Sequence, residues 1–142
     1  MGQRRKARIL ALQTLYQVDL AHTDVDESLE LLCQSSEISG DVRSFAEILV
    51  KGVFKRAAEI DQLIQSCSDN WRLERMALVD RNILRIAVYE LMCHPEIPTK
   101  VSINEAIELG KRFSTEESGY FINGVLDQIR LTLRHLEAGE SP

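Results

Sequence analysis

The chain has 142 residues and a formal net charge of −5, from 17 lysines and arginines against 22 acids. That balance excludes a protein that binds polyanions over its whole surface and confines any such binding to one end of the molecule. Apolar residues make up 44%, enough for one core-bearing domain over residues 1–142, and no apolar run approaches the ~20 residues of a membrane span.

Nearly every segment repeats apolar residues at helical spacing, and none sustains period-two alternation, so the fold class is all-α with about six to seven helices. The first helix is predicted from Gln3 to His22, with Ala7, Ala11, Leu15 and Val18 as its core stripe. Residues 1–18 carry Arg4, Arg5, Lys6 and Arg8 and no acid, whereas residues 19–30 carry five acids and no cation. Cations in the first turns oppose the helix dipole, at about 0.3–1 kcal/mol each when exposed. They read either as a solvated, frayed terminus or as an arm that contacts phosphates. At about 100° per residue, Arg5, Leu12 and Tyr16 share one face.

A second helix is predicted from Asp26 to Ser35, followed by a break and N-cap signal at Ser39-Gly40-Asp41. A long apolar-periodic stretch then runs to about Ser66, with Gly52 as its candidate bend. Residues 67–75 read as a connection with a local turn around Trp71. The next helix spans Met76 to Cys93, with Val79, Ile83, Ile86, Ala87 and Leu91 inward. On it, Arg81 and Arg85 are like charges at i,i+4 beside Asp80. They read as pairing with glutamates of neighbouring helices or as a mixed-charge partner surface.

His94-Pro95-Glu96-Ile97-Pro98 stops that helix. Ser102-Ile103-Asn104-Glu105 and Ser114-Thr115-Glu116-Glu117 each match a capping box, so two further helices are predicted, the last ending near Gly139. Tyr120 and Phe121 are adjacent in the last helix and point about 100° apart. They read as core-edge rings or as a stacking platform for single-stranded bases near Lys111 and Arg112.

Nothing points to catalysis. His22, His94 and His135 are far apart, and there is no phosphate loop, nucleophile elbow or metal-ligand spacing. No enzyme, cofactor or metal is expected. Cys33, Cys67 and Cys93 form no C-x-x-C pair and read as buried, reduced thiols of a cytoplasmic protein.

Four blocks, RRKARILALQTLYQVD at 4–19, VDRNILRIAVYEL at 79–91, KVSINEAIELGKRF at 100–113 and ESGYFINGVLD at 117–127, make the chain resemble the NusB family of transcription antitermination factors over nearly its whole length. The resemblance implies a helical domain with two subdomains and no membrane association. It implies pairing with the ribosomal protein NusE, recognition of boxA-type single-stranded RNA in ribosomal-RNA transcripts, and work alongside other Nus factors and RNA polymerase. It leaves a homodimer possible. Carried over by position, Arg4, Arg5, Lys6, Arg8, Lys111, Glu117, Ser118, Tyr120 and Phe121 would face RNA, and Tyr16, Asp80, Arg81 and Arg85 would face NusE. Tyr120 stands where many members carry a basic residue, which exchanges a phosphate contact for a stacking face. A second reading, a mainly protein-interacting or self-associating module with an incidental basic arm, is separated from the first by salt dependence, which is steep only for RNA.

Overall fold

The computed structural model describes residues 2–34, 37–68 and 71–139. Seven α-helices and one short 3-10 turn form among them, with no strand: α1 (Gln3–Ala21), α2 (Val25–Gln34), α3 (Gly40–Lys55), α4 (Ala57–Cys67), the turn Leu73–Arg75, α5 (Leu78–Cys93), α6 (Thr99–Phe113) and α7 (Glu116–Glu137). The residue expected to close α2, Ser35, lies outside the described residues.

Local signals explain most of these boundaries. His22 ends α1 in the left-handed region, with φ 54°, and its N–H donates to the Val18 carbonyl. Ser39 caps α3 by accepting from the Val42 N–H at 3.3 Å, which supplies one of the donors a helix start leaves orphaned. His94 closes α5 just before Pro95, and α6 starts directly after Pro98, where a missing N–H costs the helix nothing.

Three expectations are corrected. The long third stretch breaks at Arg56, where φ is −112° and ψ is 21°, giving two helices instead of one bent at Gly52. Gly52 serves a close approach: a Cβ there would lie 2.1 Å from Cζ of Tyr89 on α5. Ser102 is no cap, because α6 already began at Thr99; it is buried and its hydroxyl turns to Glu90. The second cap falls one residue later than expected. Thr115 accepts from the Ser118 N–H at 3.0 Å, while Ser114 closes α6.

Two apolar cores follow. The smaller joins Ala7 and Leu10 of α1 to Leu29, Val42 and Ala46. The larger runs from Ala11, Leu12 and Leu15 through Leu49, Ile60, Ile64, Leu84, Ile122, Leu126 and Ile129. Each fully buried Leu or Ile contributes about 1.5–3 kcal/mol of transfer free energy. The two cores meet along α1, which matches the two-part helical architecture that the resemblance implies. Cys33, Cys67 and Cys93 are free and half-buried instead of fully buried.

Candidate nucleic-acid interface

The first turns of α1 divide into two sets. Arg4, Arg5 and Lys6 are exposed. Arg4 lies over the Phe45 ring, 4.3 Å from its centroid. Arg8 is 3% exposed and is taken up internally: Nε donates to Glu90 Oε2 at 2.8 Å and Nη2 to Glu90 Oε1 at 2.7 Å. Glu90 also accepts from the Ser102 hydroxyl at 2.9 Å. Arg8 is therefore not a phosphate contact, because reaching one would leave a buried carboxylate unpaired. Sequence spacing held the signal: Arg8, Ala11, Leu12 and Leu15 fall at i, i+3, i+4 and i+7, the buried face of α1.

Glu105 connects the buried cation to the exposed arm. Its Oε1 lies 3.5 Å from Arg8 Nη1, and Arg5 donates to both its oxygens, at 3.0 and 2.5 Å. The hydrogen bond from Arg5 holds the Glu105 carboxyl below the usual carboxylate range, against the opposing effect of burial. The start of α1 is thus anchored by two fork–fork pairs, Arg8 with Glu90 on α5 and Arg5 with Glu105 on α6.

At the other end of α6, Lys111 is exposed and its aliphatic chain lies across Gly119; a Cβ there would come 3.0 Å from Lys111 Cγ. Tyr120 is 75% exposed, and Glu117 also faces solvent. Phe121 is half-buried, packed on the larger core and edge-on to Trp71, with centroids 5.9 Å apart and planes at 66°. Ser118 turns inward: it is 6% exposed and donates to Asp80 Oδ2 at 3.0 Å, so it shapes this corner without facing a ligand directly. Between Trp71, Met76, Asp80, Glu117, Ser118 and Phe121 lies a recess of about 310 Å³. Trp71 was missed by sequence reasoning beyond its local turn. The available signal was a large ring in a polar connection, with no helical stripe to receive it.

The four residues expected to face a protein partner are separated by the fold. Arg85 is spent on Asp61, at 2.8 and 3.0 Å, and on Asp19 at 3.1 Å. Arg81 pairs with Asp19 at 3.6 Å. Both guanidinium groups therefore join α5 to the chain's own aspartates, where glutamates or an outside partner were expected. Asp80 is turned to Ser118. Tyr16 stands on an open groove of about 450 Å³, whose wall is almost entirely apolar and includes Leu12, Leu20, Val79 and Phe113. Leu20 is 60% exposed there. Val79 and Asp80 are consecutive in the first turn of α5, yet one lines the Tyr16 groove and the other the Trp71 recess.

No group of side chains among the described residues could hold a metal ion, and no described helix is long and apolar enough to cross a membrane.

Residues 5–130 match the model of the NusB family. The chain is 51% identical over 142 residues to the transcription antitermination protein NusB of Desulforapulum autotrophicum, covering 99% of each. It is 50% identical over 137 residues to that of Myxococcus xanthus, covering 94% of this chain and 98% of the relative. Among solved structures, it is similar to T. maritima NusB with a TM-score of 0.84 and 34% identity, over 98% of this chain and 93% of that one. It is also similar to a chain from the crystal structure of antitermination factors NusB and NusE in complex with dsRNA. That match has a TM-score of 0.85 and 28% identity, over 93% of this chain and 98% of that one.

Proposed function

This chain belongs to the NusB family of transcription antitermination proteins, and from that premise we propose that it is an RNA-binding adaptor that engages NusE and boxA-type single-stranded RNA side by side. The observation that carries the reading is the shared wall. The first turn of α5 and the corner between α6 and α7 separate an apolar groove from an aromatic recess, so a protein and a nucleic acid can dock without exclusion. The solved relative that contains NusB, NusE and RNA together supports the same pairing.

Each side has the chemistry its ligand requires. Exposed Arg4, Arg5 and Lys6 begin a cationic edge, and Arg5 touches α6 at Glu105. Lys111 follows six residues on, about 9 Å along a helix at 1.5 Å per residue. The edge ends at Tyr120 and Phe121, where rings provide sequence-tolerant stacking. The Tyr16 groove offers an apolar surface for NusE, of the kind that makes the centre of a protein interface. In the cytoplasm of its bacterium the assembly would join other Nus factors and RNA polymerase on ribosomal-RNA transcripts. A homodimer through the same groove would compete with NusE.

The test is calorimetry of the two pairwise steps and the ternary complex. Few phosphates can be neutralised by one short arm on a chain of charge −5, so the protein alone should hold boxA RNA weakly. With NusE present, RNA affinity should rise by ~10²–10⁴ through effective concentration. Equal boxA affinity with and without NusE would refute the adaptor mechanism. A salt-insensitive interaction with NusE and no RNA binding in any state would favour the protein-interaction reading instead.

A further inference from the structure

Two glycines lie where α6 packs on α7, and they serve different contacts. A Cβ on Gly110 would run into Ile122 Cδ1 at 2.7 Å, in the larger core, so packing requires that glycine. At Gly119 the nearest atom outside Lys111 would be Ile107 Cγ2 at 3.6 Å, an ordinary van der Waals distance. Gly119 lies inside α7 and its φ is not in the left-handed region where glycine has an advantage. Glycine inside a helix also lowers stability relative to alanine. Neither the core nor the backbone therefore calls for glycine at 119.

What a side chain at 119 would meet is Lys111. A Cβ would lie 3.0 Å from its Cγ and 3.3 Å from its Cε, both inside the roughly 3.5–4.0 Å of an unstrained carbon contact. Ile107 and Lys111 are four residues apart and share a face of α6. The lysine stem crosses the α7 backbone at the residue before Tyr120. Gly119 is buried although Lys111 is exposed, the pattern of a stem that covers protein surface while its ammonium stays in water. An exposed lysine otherwise spreads over many rotamers, and ordering them opposes phosphate binding. A stem already laid on bare backbone has lost that freedom before RNA arrives.

We propose that Gly119 is a positioning residue for RNA binding: its missing side chain leaves a track in which the Lys111 stem lies, and this aims the ammonium at the RNA backbone along the edge that ends at Tyr120. The proposal rests on the RNA-binding reading above and adds to it a residue that acts on RNA only through its neighbour.

Gly119→Gln fills the track with an uncharged side chain of good helix propensity, and Gly119→Ala narrows it by one carbon. The full-length protein, saturated with NusE, is titrated with labelled boxA-type RNA by anisotropy over a range of salt, and every variant is melted. One phosphate contact on a single strand contributes about 0.7 to the slope of log affinity against log salt. Across a roughly 20-fold change in salt, from about 1 M to about 50 mM, that slope amounts to about 8-fold in affinity. Gly119→Gln should flatten the slope by about 0.7 and weaken RNA about 8-fold at the low-salt end, as Lys111→Gln does. Gly119→Ala should fall between Gly119→Gln and wild type. Combining Gly119→Gln with Lys111→Gln should cost nothing further, because both remove the same contact. The thermal midpoints of the two glycine variants should match or exceed that of wild type, since each replaces glycine within a helix.

A wild-type slope in Gly119→Gln beside a flattened one in Lys111→Gln overturns the positioning role and leaves the RNA reading standing. Additive losses in the double variant overturn it too, because the glycine would then act by another route. Weaker RNA binding with a lowered thermal midpoint and an unchanged slope makes Gly119 a packing residue, and the proposal is wrong. An unchanged slope in Lys111→Gln withdraws that lysine from RNA and the proposal with it, while the contacts of the α1 arm remain. No RNA binding with or without NusE overturns the RNA reading itself.

Discussion

Removing the Arg8 side chain should damage the fold and spare RNA binding. Arg8 and Glu90 are both almost wholly buried, with 4% and 1% of their side chains exposed, and Arg8 satisfies both carboxylate oxygens. Arg8→Ala leaves Glu90 with only the Ser102 hydroxyl, and breaking one side of a buried pair costs about 3–5 kcal/mol. For 142 residues the unfolding entropy is about 0.3 kcal/mol/K, so the midpoint of thermal unfolding should fall by about 10–17 °C. Circular dichroism melting measures this directly. The double variant Arg8→Met with Glu90→Leu should recover most of the loss, because well-packed apolar replacements of a buried pair are often neutral or stabilising. RNA affinity, measured where every variant is folded, should stay within about twofold of wild type, since an internal cation releases no counterion on binding. A midpoint lowered by less than about 3 °C, or a flattened salt dependence of RNA binding at unchanged stability, would show that Arg8 faces phosphate and that this reasoning is wrong.

Three further outcomes follow from the same geometry. Arg4→Ala combined with Lys6→Ala should flatten the salt slope of RNA binding by about 0.7 per lost phosphate contact, with stability changed by less than about 1 kcal/mol, because both side chains are exposed. Glu105→Gln should raise RNA affinity and steepen the same slope, because the carboxylate that now occupies Arg5 competes with phosphate; unchanged or weaker RNA binding at full folding would count against that competition. Glu105 should also give acid sensitivity. Its folded pKa is depressed, so its contribution is fully present above the ordinary carboxyl value of about 4.3 and is lost as pH falls through the folded value. Melting of wild type and Glu105→Gln between pH 6 and 3 should therefore converge toward acid.

The sequence by itself determined which segments are helices and which family the chain belongs to. Helical spacing is a local property of the chain, and the prolines at 95 and 98, Ser39 and Thr115 act on neighbours within a few residues. The four family blocks are likewise read in one dimension. The exposed arm at Arg4, Arg5 and Lys6 was legible for the same reason, and so was the divergence of the adjacent rings of Tyr120 and Phe121; which ring packs on the core and which stays in water was decided by the fold. What only the tertiary structure decided was the partner of each charge. Arg8 meets Glu90 across 82 positions and Arg85 meets Asp19 across 66, so their withdrawal from any outer surface could be settled only by packing α1 against α5. The same holds for Ser102, whose spacing from Glu105 fits a cap until α6 is seen to begin at Thr99. Trp71 gained its place only when the connection before α5 was laid against α7, because a ring becomes half of an aromatic recess through a neighbour 50 residues away in the chain. Helix formation is governed by short-range hydrogen bonds and periodicity, whereas ion pairs and recesses are fixed by which faces the cores bring together.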